Sequence, residues 1–227
     1  GGKLPIPLNY YAATTGRWGG GLNMNMQNLP RVPRNKDGSI AHKPTNALRL
    51  SLRAPKGHKV IVSDLSGIEL RVNHFLWKVP SSMALYQADP EKADLYKDFA
   101  SSLYEVDVAD VSKDQRQIGK IAHLGLGFGA GGSTFVRIAK TMGGVNMSED
   151  EAIKIVRTWR NAYKEIQTGW KTCGSSLALI YNGAKEDIGV PIDPWGMCTV
   201  AEGGIKTPIG MIRYPHLEYK EEDQSFW

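Results

Sequence analysis

Cysteine is scarce in this 227-residue chain, which has only Cys173 and Cys198. Two thiols outside any CxxC spacing frame neither a disulfide scaffold nor a thiolate zinc site, so buried free thiols are expected. No apolar run approaches the ~18 residues of a membrane span. The opening GGKLPIPLNYY lacks the basic-then-apolar order of a secretory signal, so the expected setting is cytoplasmic, with no membrane partner. Neither an internal repeat nor a low-complexity tract is present. No sign of charge dominates: 28 Lys and Arg against 23 Asp and Glu give +5, a mild basic bias that suits a polyanion but identifies none. A starting methionine is also missing, and the chain stops at Trp227 after a charged, strand-like stretch, so it reads as a piece of a longer product. What is present is 41% hydrophobic and 9% aromatic residues, enough for one sizeable core or two smaller lobes.

Residues 1–50 are rich in Gly, Asn and Pro and hold no periodicity for long, which predicts an extended, loop-rich segment. His58 to Leu65, centred on Val60-Ile61-Val62, reads as a buried strand. A helix is expected over 67–77, with Ser66 as its cap and Ile68, Leu70, Val72, Phe75 and Leu76 apolar. A second helix is expected over Asp89–Tyr104. Ser112 with Gln115 has capping-box spacing and should open a helix to about Leu126, where GFGAGG stops it. Ser148-Glu149-Asp150 should cap another to about Ser176, apolar at Ile153, Val156, Trp159 and Tyr163. Finally, KTPIGMIRYPHLEYK reads as a hairpin turning near Pro208-Ile209-Gly210.

Two stretches carry possible chemistry. In the helix after Ser112, Arg116, Lys120, Leu124 and Phe128 recur every four residues, forming one slowly drifting face with two cations followed by two apolar groups. Such a face suits a triphosphate at one end and a ring or base at the other, although a solvated amphipathic helix has the same pattern. In SDLSGIELRV, Asp64 stands at the expected strand end. It is either a turn residue or a ligand for a hard cation such as magnesium, which takes one or two carboxylates plus phosphate oxygens. Glu69 is either a helix-surface charge or a group set beneath a sugar.

SDLSGIELR resembles motif A of family A DNA polymerases, DYSQIELR. RQIGKIAHLGLGFG resembles their motif B, R-x3-K-x3-[FYL]-x3-[YF]-G, and TTGR followed by MQNLPR resembles the segment preceding motif A. The three occur in family order between Thr14 and Gly129. The resemblance implies that Asp64 is a ligand of two catalytic Mg²⁺ ions and the carbonyl of Leu65 a further ligand of the nucleotide-bound one, the second aspartate ligand lying outside this chain. It implies that Arg116 and Lys120 hold the incoming deoxynucleoside triphosphate, with Lys120 also a proton donor to pyrophosphate. Glu69 becomes the steric gate against ribonucleotides, Leu124 lies against sugar and base, and Phe128 takes the template-stacking position. Arg17, Gln27 and Asn28 would meet primer-template DNA.

Several residues depart from the family pattern. Leu124 replaces a more usual Phe or Tyr, Phe128 replaces a Tyr whose hydroxyl reaches the gate glutamate, and Tyr96 stands where cellular members carry a histidine. Leu124 and Tyr96 are phage-like features. No HDE-type motif C, thumb or exonuclease occurs, so the resemblance implies a second polypeptide or further segment with motif C and thumb. The fold expected is α/β (α+β): a partial antiparallel palm sheet with a mostly helical fingers subdomain. Residues 1–75 would be the palm segment with motif A, 76–200 the fingers with motif B, and 201–227 a hairpin returning toward the palm. The function implied is two-metal, template-directed DNA synthesis, as one fragment of a phage-type enzyme. The alternative is a non-catalytic fragment binding primer-template or single-stranded DNA. A single-subunit RNA polymerase is disfavoured by the Glu69 of IELR.

Overall fold

The computed structural model describes residues 6–12, 16–22, 25, 29, 35, 37, 39–40, 50–61, 63, 65–183, 185–222 and 225–226. These fall into two compact units, Gly1–Asp64 and Leu65–Trp227.

The first unit is loop-rich, as its composition predicts. Two short strands, β1 (Leu8–Asn9) and β2 (Gly19–Gly20), pair antiparallel with Leu8 opposite Gly20. The ring of Tyr10 stands edge-on to Trp18 at 5.4 Å and the Ala12 N–H donates to the Arg17 carbonyl, which together close the intervening loop. The strand expected over 58–65 is not found: none of its described residues is in a strand, and Ile61 is 91% exposed. Strands persist through hydrogen bonds to a neighbour, and the described residues supply none here. Val62 and Asp64 lie outside the described residues.

The second unit is built from seven helices among its described residues: α1 (Ile68–Leu76), α2 (Pro80–Ala88), α3 (Leu95–Tyr104), α4 (Lys113–Leu126), α5 (Gly132–Gly143), α6 (Glu149–Ala162) and α7 (Lys164–Asn182). Ser66 does not cap α1; the cap position is Gly67, left-handed at φ 59° with no side-chain bond. The helix expected from Asp89 starts only at Leu95. Asp94 accepts the Tyr96 and Lys97 N–H groups there and so sets the start of α3, while Pro80 opens the separate α2. Capping boxes at Ser112/Gln115 and Ser148/Glu151 start α4 and α6, as their spacing predicts. The second of these helices breaks at Tyr163, whose buried ring packs 5.1 Å from Trp159.

The core gathers around α4, against which α3, α5 and α6 all pack. Ile118, Ile121, Ala122 and Leu126 of α4 meet Phe99, Leu103, Phe135, Val156 and Trp159. Behind this bundle, β3 (Thr199–Ala201), β4 (Gly204–Thr207) and β5 (Gly210–Arg213) form a three-stranded antiparallel sheet. Its β4–β5 hairpin pairs Thr207 with Gly210, placing the turn at Pro208-Ile209. A last pair, β6 (Tyr219–Lys220) and β7 (Ser225–Phe226), rests the Phe226 ring 5.6 Å from Tyr181. The expected mixture of helices with a small antiparallel sheet is what the chain adopts. Cys173 and Cys198 are free thiols, half-buried rather than buried.

Candidate functional site

Because three helices cover α4, only one face of it remains open. Ile118, Gly119, Ile121, Ala122, His123, Gly125 and Leu126 are buried, whereas Arg116, Lys120 and Leu124 stay half-exposed in a row one turn apart. Phe128, just past the helix end, is 74% exposed. The face read from the four-residue spacing therefore exists as a surface.

At the start of that face Arg116 is already oriented. Its Nε donates to Asp94 Oδ2 at 2.7 Å while the other Asp94 oxygen caps α3, and its guanidinium lies 5.3 Å over the Tyr96 ring. Nε is thereby occupied, and the terminal nitrogens have no partner among the described residues. One turn on, Gly119 lets α3 and α4 touch: a Cβ there would lie 2.2 Å from the Tyr96 carbonyl oxygen. One further turn on, His123 Nε2 meets the Leu95 carbonyl at 3.1 Å. The start of α3 is thus joined to α4 over three successive turns.

Buried His123 also accepts from Trp159 Nε1 on its Nδ1 at 3.2 Å, which fixes the proton on Nε2 and the ring as neutral. Burial holds this imidazole down to about 3, with His74 nearby lowering it further and the Leu95 bond opposing the shift. His74 lies 5.3 Å away and meets Ser82 Oγ at 2.6 Å through Nδ1, while its buried Nε2 has no hydrogen-bond partner among the described residues. Desolvation holds His74 down to about 4.

Helix α1 crosses this bundle with three faces in use. Leu70 and His74 point into the core. On one flank, Gly67 approaches the Tyr96 hydroxyl, 3.4 Å from where a Cβ would stand, and Arg71 follows one turn later on that flank. On the other flank, Asn73 Nδ2 lies 3.4 Å from the corresponding point at Gly127, and Glu69, one turn before Asn73, is exposed. Glu69 and Phe128 accordingly belong to the same end of α4. Between α1, the Pro90–Tyr96 segment and Arg116 opens a groove of about 490 Å³ lined by Gly67, Arg71, Tyr86, Asp94, Tyr96 and Arg116.

Of the residues singled out in the sequence, the structure brings Arg116, Lys120, Leu124 and Phe128 onto one side of the second unit, with Glu69 on the adjoining helix. Arg17 lies in the first unit, and Asp64, Gln27 and Asn28 lie outside the described residues. Leu65 is exposed, and its carbonyl accepts a long bond from the Ile68 N–H at 3.4 Å. No group of three or more His, Cys, Asp or Glu among the described residues could hold a metal ion, so these residues alone do not make a metal centre. Sequence reasoning missed Asp94 and His123. Only Asp94 leaves a signal, as an N-cap residue ahead of the apolar positions Leu95, Phe99 and Leu103.

The bundle with its small sheet shares the fold of the polymerase domain of Pol1 from Mycobacterium smegmatis, solved with DNA primer-template and dNTP. The TM-score is 0.54 at 19% identity, over 91% of this chain and 30% of that one. At that identity the likeness speaks for the fold alone. The family model "DNA polymerase family A" matches residues 6–177. The chain is 29% identical to the DNA polymerase of Bacillus phage SP02 over 187 residues, covering 72% of this chain and 28% of that protein. It is 30% identical to DNA polymerase I of Pseudomonas aeruginosa over 128 residues, 56% of this chain and 13% of that one. The chain belongs to DNA polymerase family A. It spans less than a third of the length of these relatives.

Proposed function

We propose that this chain carries the nucleotide-binding part of a template-directed DNA-synthesis site, acting with further sequence that supplies motif C and the thumb. The observation that carries the reading is the single open face of α4, where a pre-oriented Arg116 is followed by Lys120 and Leu124. Arg116 and Lys120 would bind the triphosphate of a deoxynucleotide through charge-assisted hydrogen bonds. Lys120 would hold the proton that departing pyrophosphate takes up. Leu124 would pack against sugar and base, with Phe128 beside the template base. Glu69 would fill the space under the sugar, and Phe128 has no hydroxyl to hold it, which makes for a looser gate. Arg17, Gln27 and Asn28 would lie along primer-template DNA, mostly on its backbone. Residues 1–75, 76–200 and 201–227 would be palm segment, fingers and returning hairpin.

Asp64 and the Leu65 carbonyl would be this chain's ligands for Mg²⁺, whose chemistry is charge neutralisation at the α-phosphate and activation of the primer hydroxyl. Phage-type character rests on Leu124 and Tyr96 and on the phage SP02 relative.

Primer extension tests this reading, with the chain alone and with a segment carrying the motif C aspartate, Mg²⁺ and all four deoxynucleotides. Extension is expected only in the mixture. Asp64→Asn should abolish it, and Glu69→Ala should raise ribonucleotide incorporation at least about tenfold. Salt-sensitive DNA binding without extension in any mixture would instead support a non-catalytic DNA-binding fragment.

A further inference from the structure

Arg116 is not the only guanidinium in the groove beside α4. Arg71, on α1, lines the same cavity of about 490 Å³ from the opposite wall. A helix arginine two residues after a glutamate invites the reading of a structural ion pair, but among the described residues no carboxylate forms an ion pair with Arg71. Its guanidinium lies 4.6 Å over the Tyr86 ring, and the ion pairs found among the described residues are Lys92–Asp89 and Arg116–Asp94.

The two arginines are held alike. Each guanidinium sits over a tyrosine ring, Arg71 4.6 Å from the Tyr86 centroid and Arg116 5.3 Å from that of Tyr96. A cation over an aromatic face spends only the face of the guanidinium. Its N–H donors lie in the guanidinium plane, so a ring contact leaves them the fork geometry that suits phosphate oxygens. The acids around the groove are engaged or peripheral. Asp94 takes Arg116 Nε and two backbone N–H groups, and Glu91 is exposed on the rim. Helix geometry fixes the side on which Arg71 emerges: it shares a flank with Gly67, where a Cβ would stand 3.4 Å from the Tyr96 hydroxyl, and lies about 200° round α1 from Glu69. Arg71 thus faces the Arg116 end of α4, and Glu69 the Phe128 end.

We propose that Arg71 and Arg116 form a two-guanidinium site for the polyphosphate end of a nucleotide, with Arg71 a binding residue that the motif-based reading leaves out. This rests on the reading of Arg116 as a triphosphate-binding residue. The cavity has room for a pyrophosphate or triphosphate chain, and its walls supply two forks, where a single arginine and a lysine would leave the terminal phosphate one-sided.

The test is equilibrium binding of inorganic tripolyphosphate to the whole chain, followed by tryptophan fluorescence or calorimetry at low salt. Arg71→Gln and Arg116→Gln are compared with Lys171→Gln, an exposed cation on α7. Each arginine variant is expected to weaken binding by about tenfold, as for a lost charge-assisted bond, and Lys171→Gln to leave it unchanged. Arg71→Lys, which keeps the charge but not the fork, should recover part of the loss. If Arg116→Gln weakens binding and Arg71→Gln does not, the role of Arg71 is overturned while that of Arg116 stands. If neither weakens it, both fail. Should Arg71→Gln not fold, Arg71→Lys is read in its place, where a severalfold loss supports the site and wild-type affinity overturns it.

Discussion

His74 and His123 meet ring to ring in the interior, and neither is a residue the motifs mark. Their consequence is a dependence of stability on pH. In the folded chain both stay neutral, with values near 4 and near 3 against an ordinary 6.5. Between pH 6.5 and 4 the unfolded chain therefore binds protons that the folded chain refuses, so stability falls as pH falls. Above pH 6.5 the pair contributes no slope. Denaturant unfolding at pH 7.0 and pH 5.0 should show a loss on the order of 1 kcal/mol per histidine per pH unit in that window. His74→Gln should remove about half of this slope, and an unchanged slope would mean that the ring is hydrated. Sequence carries no signal for the pair, because a histidine inside an amphipathic helix looks the same whether it faces water or another ring. By contrast, the Arg116, Lys120, Leu124 row was legible, since four-residue spacing in a helix fixes a shared face whatever surrounds it.

At the scale of elements, capping chemistry was the most readable feature. Ser112 with Gln115 and Ser148 with Glu151 start their helices where expected, because the reciprocal bonds are local to four residues. What was not legible depended on distant partners. The run Val60-Ile61-Val62 has strand composition but no neighbour among the described residues, and α5 follows glycines that read only as a stop. At the break, Tyr163 packs against rings from other helices, those of His74, Phe99 and His123. Asp94 lies between these cases, being both a cap and the partner of Arg116. Asp94→Ala should cost about 1 kcal/mol, nearly all of it from the lost cap, since Arg116 keeps 40% of its side-chain surface in water and the pair is screened. Asp94→Asn, which can still accept the same N–H groups, should stay within about 0.5 kcal/mol of the parent in urea unfolding.

For the whole molecule, the hydrophobic core among the described residues is drawn from positions after Leu65, its main cluster running from Leu76 to Leu217. A chain limited to Leu65–Trp227 should therefore unfold cooperatively, with a midpoint within a few degrees of that of the full chain in calorimetry. A broad transition would mean that the first unit supports the second. No helix among the described residues is long and apolar enough to cross a membrane. Family membership was legible from three short motifs, while the supports behind them are not marked by these: Asp94 lies outside the three, and Gly119 and His123 fall at unspecified positions of motif B.

The close approach at Gly119 has a mechanical consequence. With the Tyr96 carbonyl seated where a side chain would stand, and with the Arg116–Asp94 and His123–Leu95 bonds one turn to either side, α4 can neither roll nor slide past α3. Any movement of α4 must carry α3 along, together with α5 and α6 packed on its other sides, as one body. The bending then falls to the segment that leads into this body, Asp89–Asp94 before α3.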